Sequence, residues 1–163
     1  MAKAYPNSQV FGFDYHAPSI EMAREIAARE GVGDRIRFEV ASAKAFPGTD
    51  YDFVAFFDCL HDRGDPAGVA RYVRSTMKPD GTWMIVEPFA EDATEANHNP
   101  LGRLCYSAST LLCVPASLSQ EVGAALGAQA DERRLREVVT AGGFTGFRRA
   151  TQTPFNLVFE ARP

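Results

Sequence analysis

Along the chain, short apolar runs alternate with stripes of helical period. Residues 9–13 (QVFGF) form an apolar run ending at Asp14 and predict a buried strand. Pro18 suits the first turn of a following helix, in which Ile20, Ala23, Ile26 and Ala27 recur on one face. Glu25 and Arg29 are spaced as an outward i,i+4 pair, and Gly31 is placed to end the helix. Residues 35–40 (RIRFEV) alternate and predict a second strand. Residues 51–57 (YDFVAFF) are almost continuously apolar, as expected of a strand covered on both faces.

The second half repeats this logic. Asp65-Pro66 is a helix-start signal, and Val69, Val73 and Met77 give the inner stripe. Lys78-Pro79-Asp80-Gly81 predicts a turn, and 82–87 (TWMIVE) a fourth strand ending at Pro88. Residues 97–100 predict a loop, and 101–114 an apolar helix rich in small residues. Residues 117–130, rich in Gly and Ala, predict a partly mobile stretch. Asp131 can cap a helix with Leu135, Val138 and Val139 inside and Gly142-Gly143 at its end. Strands at 146–153 and 155–161 follow, with Pro154 between them marking a tight antiparallel pair or an edge. The alternation predicts an α/β fold with a parallel sheet and right-handed crossovers.

Composition narrows the class. With 163 residues, 45% hydrophobic and 23% charged, the chain is one domain's worth of ordinary globular sequence. A net charge of -4 and a pI near 5.4 lack the footprint of a nucleic-acid binder. Arg133, Arg134 and Arg136 sit among Asp131, Glu132 and Glu137, as on a solvated helix face. No run is long and apolar enough to span a bilayer, so no membrane partner is expected. Cys59, Cys105 and Cys113 have no metal-type spacing. They read as free, packed thiols in a reducing compartment, which points to a cytoplasmic protein.

The segment "MKPDGTWMIVEP", an insertion, and then "LREVVTAGGFTGFRRATQTPFNLVFEARP" resemble the C-terminal half of class I S-adenosylmethionine-dependent methyltransferases. The KPDGT turn and the helix end at Ala141-Gly142-Gly143-Phe144 carry the likeness, which covers nearly the whole chain as one domain, 1–163. The resemblance implies a Rossmann-like sheet of order 3-2-1-4-5-7-6 with strand 7 antiparallel, and S-adenosylmethionine as cofactor.

On that resemblance, residues 9–14 correspond to the family's strand 2, and Asp14 to the acid that accepts from the ribose hydroxyls. Read as local structure, Asp14 instead caps the turn into the next helix. Tyr15 is placed to stack on the adenine or to pack in the core. Ser42 and Ala43 stand where the adenine is approached. Many relatives have an acid there, so these residues imply weaker or backbone-based recognition, or an ordinary loop. Asp58 stands at the strand tip facing the cofactor's methionine end and its ammonium.

The segment Asp58-Cys59-Leu60-His61-Asp62-Arg63-Gly64-Asp65 resembles the "HDWSD" stretch of small-molecule O-methyltransferases, with Arg63 and Gly64 replacing the tryptophan. It implies His61 as general base, because an imidazole of near-neutral pKa suits proton removal from an attacking hydroxyl. The alternative is a histidine bonded only to the local backbone. His98 is expected in a surface loop, and His16 near the cofactor. The insertion at 89–130 occupies the place of a substrate lid. Tyr106 and Leu111 are candidate walls for a small, apolar methyl acceptor.

The family's glycine-rich turn after strand 1 has no counterpart ahead of residues 9–13. Gly31-Val32-Gly33 lies between helix and strand in the wrong order, and Gly123 to Gly127 is equally misplaced. The expectation is therefore an N-terminally truncated domain with strand 1 missing. Strand 2 could then close on strand 4, or open edges could pair two chains into a homodimer. Two functional readings follow: a methyltransferase acting on a small-molecule hydroxyl, possessing only part of its cofactor cradle, or a non-catalytic remnant of the fold serving as a binding or self-association module. A nicotinamide-dependent oxidoreductase explains less, since it too needs the glycine turn.

Overall fold

A computed structural model describes residues 1–163, which fall into two compact units, Met1–Pro47 and Gly48–Pro163.

The first unit contains β1 (Val10–Asp14), α1 (Ala17–Arg29), a 3-10 turn at Gly33–Arg35 and β2 (Ile36–Val40). The strands pair in parallel, Val10 opposite Ile36 through Asp14 opposite Val40. Gly12 lies opposite Phe38, whose ring would come within 2.5 Å of an added Cβ and would have to shift to admit one. Pro18 sits in the first turn of α1, and Gly31 follows its end with φ +67. Ile20 and Ala27 are buried as expected, but Ile26 is 43% exposed. That corrects the predicted stripe. Ala2, Ala27 and Val32, with Val10, Ile36 and Phe38, form this unit's small core.

The second unit is a four-stranded sheet of order β3-β4-β6-β5, where β3 is Tyr51–Phe57, β4 Met77–Pro88, β5 Gly146–Gln152 and β6 Asn156–Arg162. β3 runs parallel to β4, while β6 is antiparallel to both β4 and β5. The terminal hairpin thus supplies the antiparallel strand. In the family's numbering, the first unit's sheet is 3-2 and the second unit's is 4-5-7-6, as a Rossmann-like α/β fold. Both long edges of the β1-β2 pair and one edge of β3 are sheet edges.

Two expectations for this unit need correction. Lys78–Gly81 is not a turn between helix and strand but part of β4. Tyr51 pairs with Met77 and Phe53 with Thr82, so the extra β4 residues bulge between those pairs. And β3, read as covered on both faces, leaves Phe57 59% exposed because it lies at a sheet edge.

Helix α2 (Pro66–Thr76) starts where Asp65 accepts from Gly68 N at 2.8 Å, and it buries Val69, Ala70 and Val73. Helix α5 (Glu132–Ala141) starts where Asp131 accepts from Arg134 N at 2.7 Å, and it buries Leu135 and Val139. Ion pairs Arg133–Glu137 (3.2 Å) and Arg136–Glu132 (2.8 Å) occupy its outer face, so the arginine cluster is solvated as expected. The core centres on Trp83, which meets Phe56 edge-on at 5.1 Å and Phe144 at 5.2 Å. No helix is long and apolar enough to cross a membrane.

The insertion carries a continuous helical run: α3 (Pro100–Ala108), a π-helical turn (Ser109–Cys113) and α4 (Val114–Leu118). The predicted loop at 97–100 is shorter than expected. A 3-10 turn covers Thr94–Asn97, and Asn99 caps α3 by accepting from Gly102 N. The glycine- and alanine-rich stretch beyond α4 is packed in part. Leu126, Ala128 and Ala130 are buried, and Val122, Gly123, Ala125 and Gly127 turn the backbone through positive φ.

Candidate functional site

In the first unit, Asp14, Tyr15, Ser42 and Ala43 gather at the C-terminal ends of β1 and β2, tied by Ala41 N donating to Asp14 O at 3.0 Å. This is the end of a parallel sheet where ligand crevices form. Asp14 is exposed, and its Oδ1 accepts from His16 N at 2.8 Å, so it does cap the turn into α1. Tyr15 is 67% exposed, which removes the core-packing alternative. Ser42 Oγ accepts from Lys44 N at 3.1 Å, and Ala45 N donates to Ser42 O at 3.0 Å, forming a compact turn with Ala43 half-buried. His16 is exposed at the start of α1, its Nδ1 2.9 Å from Ser19 Oγ.

In the second unit, Asp58 stands just past β3 at φ +45, a left-handed conformation that Asp tolerates better than most residues. Its backbone N donates to Val86 O at 2.8 Å, and its Oδ1 accepts from Asn156 Nδ2 at 3.1 Å. The strand tips of β3, β4 and β6 thus meet around it.

His61 is buried, at 4% exposure, but not among backbone groups alone. Its Nδ1 is hydrogen-bonded to Glu87 Oε2, and Glu87 is itself 1% exposed at the end of β4. The other Glu87 oxygen accepts from Leu60 N at 2.9 Å. His61 Nε2 lies 3.2 Å from Asp62 Oδ1. This oxygen has no hydrogen-bond partner although it is buried.

Burial works against protonation of His61. The hydrogen bond and charge of Glu87, with the charges of Asp62 and Asp58, outweigh it and raise the imidazole pKa above its ordinary 6.5. Burial, with the Glu87 charge adding to it, pushes the Cys59 thiol up to about 12. Burial and the Asp62 carboxylate push Cys113 up to about 11, and burial also raises Cys105. None of the three is a poised thiolate nucleophile.

The insertion is stitched directly to the His61 loop. Ser117 Oγ donates to Arg63 O at 2.9 Å, Gln120 Nε2 to Asp62 O at 2.9 Å, and Gly64 N to Gln120 Oε1 at 3.1 Å. Ala124 N donates to Gly64 O at 2.8 Å. The insertion therefore packs against the loop that carries His61. A shallow groove of about 330 Å³ on its helices is lined by Tyr106, Ser107, Thr110 and Leu111. His98 is exposed, as expected.

Sequence reasoning missed Glu87 and the approach of Cys113. The signal for Glu87 was present: Trp83, Ile85 and Glu87 share one phase of a strand, and all three are buried. A carboxylate in that phase needs a buried partner. Nothing in the sequence announced the π-turn that delivers Cys113.

In the second unit, a parallel pair closed by an antiparallel hairpin, with Asp58 and His61 just beyond the tip of β3, fits the Rossmann-like α/β class. The profile of the family described as "Methyltransferase domain" matches residues 1–140, and the chain belongs to that family. No curated protein matches the sequence.

Solved structures share the fold. PigF with SAH aligns at a TM-score of 0.74 and 18% identity, covering 99% of this chain and 45% of PigF. The mitomycin 7-O-methyltransferase MmcR aligns at 0.69 and 20%, covering 99% and 44%. An O-methyltransferase family 2 protein from Planctomyces limnophilus, in complex with apigenin, aligns at 0.69 and 18%, also covering 99% and 44%. The chain thus spans less than half the length of these structures.

Proposed function

We propose that the chain is the cofactor-binding and proton-accepting part of an S-adenosylmethionine-dependent O-methyltransferase acting on a small, fairly apolar molecule. The buried hydrogen bond between His61 and Glu87 carries this reading. A carboxylate on Nδ1 holds the ring in one orientation and one tautomer, leaving Nε2 to accept a proton. A histidine kept only for packing does not need a buried acid.

S-adenosylmethionine, when bound, supplies an electrophilic methyl group on a sulfonium sulfur. The chain's own residues suit its polar parts. Asp14, exposed at a strand tip with one oxygen in a backbone turn, can accept from ribose hydroxyls. Tyr15 offers an exposed ring face, and the turn at Ser42 and Ala43 offers backbone groups to an adenine. Asp58 can accept from an ammonium. An acceptor hydroxyl taking that methyl group would lose its proton to His61 Nε2, and Glu87 and Asp62 would stabilise the imidazolium. The helical insertion covers this step and excludes water. MmcR and the apigenin-bound protein, whose names point to oxygen acceptors and a small organic ligand, support the choice of substrate class.

Isothermal titration with S-adenosylmethionine and its demethylated product tests the reading. A saturable heat is expected, and no heat at millimolar ligand would overturn it for this chain. The sheet edges at β1 and β3 favour a second reading, self-association as a dimer. Light scattering distinguishes the two: a monomer that binds the cofactor excludes a purely self-associating role.

A further inference from the structure

We propose that His61, Asp62 and Cys113 form a binding site for one divalent transition ion of the zinc class. A ligating nitrogen of His61, a carboxylate oxygen of Asp62 and the Cys113 sulfur all lie within 4.8 Å of one another. They come from two places, the loop after β3 and the π-turn of the insertion, so only the folded chain assembles them.

Three observations converge here. Glu87 already holds Nδ1, which leaves Nε2 as the ligating atom. A carboxylate behind a histidine is the usual support for a metal-bound imidazole. Asp62 Oδ1 is a buried acceptor with no hydrogen-bond partner, 3.2 Å from Nε2. An uncompensated buried oxygen is costly unless something positive meets it. Cys113 closes a π-helical turn, a rare distortion that often marks a functional position. Ser109 at the start of that turn accepts from Ala128 N at 3.1 Å, which fixes the turn against the following loop.

The donor set selects the ion. Imidazole and thiolate favour zinc or cobalt over magnesium or calcium. Bonds of roughly 2.0–2.3 Å in a tetrahedral site place ligands about 3.5 Å apart, so a pair at the 4.8 Å limit would close by about 1.3 Å. Asp62 is the least buried of the three, its side chain 33% exposed. On binding, the Cys113 thiol proton and any proton on Nε2 leave to solvent, and no atom changes oxidation state. Thiolate and carboxylate balance the ion's two charges. Three protein ligands leave a fourth position open. On the reading proposed above, an ion on Nε2 would block the base and inhibit methyl transfer. Binding itself does not depend on that reading.

Titration of the chain with Co²⁺, followed by absorption spectroscopy, tests the site. A 1:1 complex with a thiolate-to-cobalt charge-transfer band is expected, displaced by Zn²⁺. The band should vanish in Cys113→Ser and persist in Cys105→Ser. Glu87→Gln should keep the band but weaken affinity about 10–100-fold. Circular dichroism confirms that each variant is folded. Should Cys113→Ser not fold, stoichiometric Zn²⁺ must slow alkylation of Cys113, and not of Cys105, in the unaltered chain. A band that survives Cys113→Ser, no thiolate band at all, or no protection of Cys113 overturns the site. Cofactor titration in metal-free buffer is read separately, so failure of either proposal leaves the other standing.

Discussion

His61 and Glu87 meet as a buried histidine–carboxylate pair, the first from the loop after β3 and the second from the end of β4. Neighbouring parallel strands end side by side, so their C-terminal residues are brought together although 26 positions separate them. Leu60 N donating to the second Glu87 oxygen at 2.9 Å locks the acid from behind. Assays that probe this pair belong in buffer freed of transition metals.

His61→Gln removes the proton acceptor while keeping a polar side chain of similar length. Methyl transfer should fall about 10²–10⁴-fold in kcat, the usual contribution of a positioned base. Cofactor affinity measured by titration should hold. A variant with unchanged kcat would rule out His61 as the base.

Glu87→Gln keeps the shape and loses the charge that helps raise the imidazole pKa. Activity requires neutral His61, so kcat in the unaltered chain should climb with pH through a value above 6.5. Asp62 and Asp58 also favour the charged ring, so the rise should move to lower pH in the variant without vanishing. A profile that stays in place would argue against Glu87 as the positioning acid.

Stability should depend on pH with a definite sign. The His61 pKa is higher folded than unfolded, so its contribution is complete below about 6.5 and is lost as pH rises through the folded value. The difference in Tm between the unaltered chain and His61→Gln should shrink across that window. Thermal unfolding at several pH values checks it, and a difference that grows with pH would contradict the assignment.

Gly142→Ala should destabilise, although alanine usually strengthens a helix end. The backbone there is unstrained at φ -74, but the new Cβ would come within 2.3 Å of Ala70 Cβ and 3.0 Å of Arg71 N. α2 and α5 would have to separate, at a cost of about 1–3 kcal/mol. Urea unfolding reads the change, and a gain in stability would show that the helices can give way.

The sequence by itself determined the order of elements, the caps at Asp65 and Asp131, the antiparallel ending and the strand-tip positions of Asp14, Asp58 and His61. These depend on local chemistry, period and proline or glycine punctuation, which act over a few residues. Tertiary structure alone decided the rest. It drew Lys78–Gly81 into β4, because pairing with β3 outweighed a local turn preference. It left Ile26 and Phe57 exposed, since exposure follows from which face finds a partner. It joined His61 to Glu87 and carried Cys113 to Asp62, contacts between segments far apart in the chain. Periodicity reports which face of an element is apolar; what stands opposite that face is settled only when the sheet is assembled.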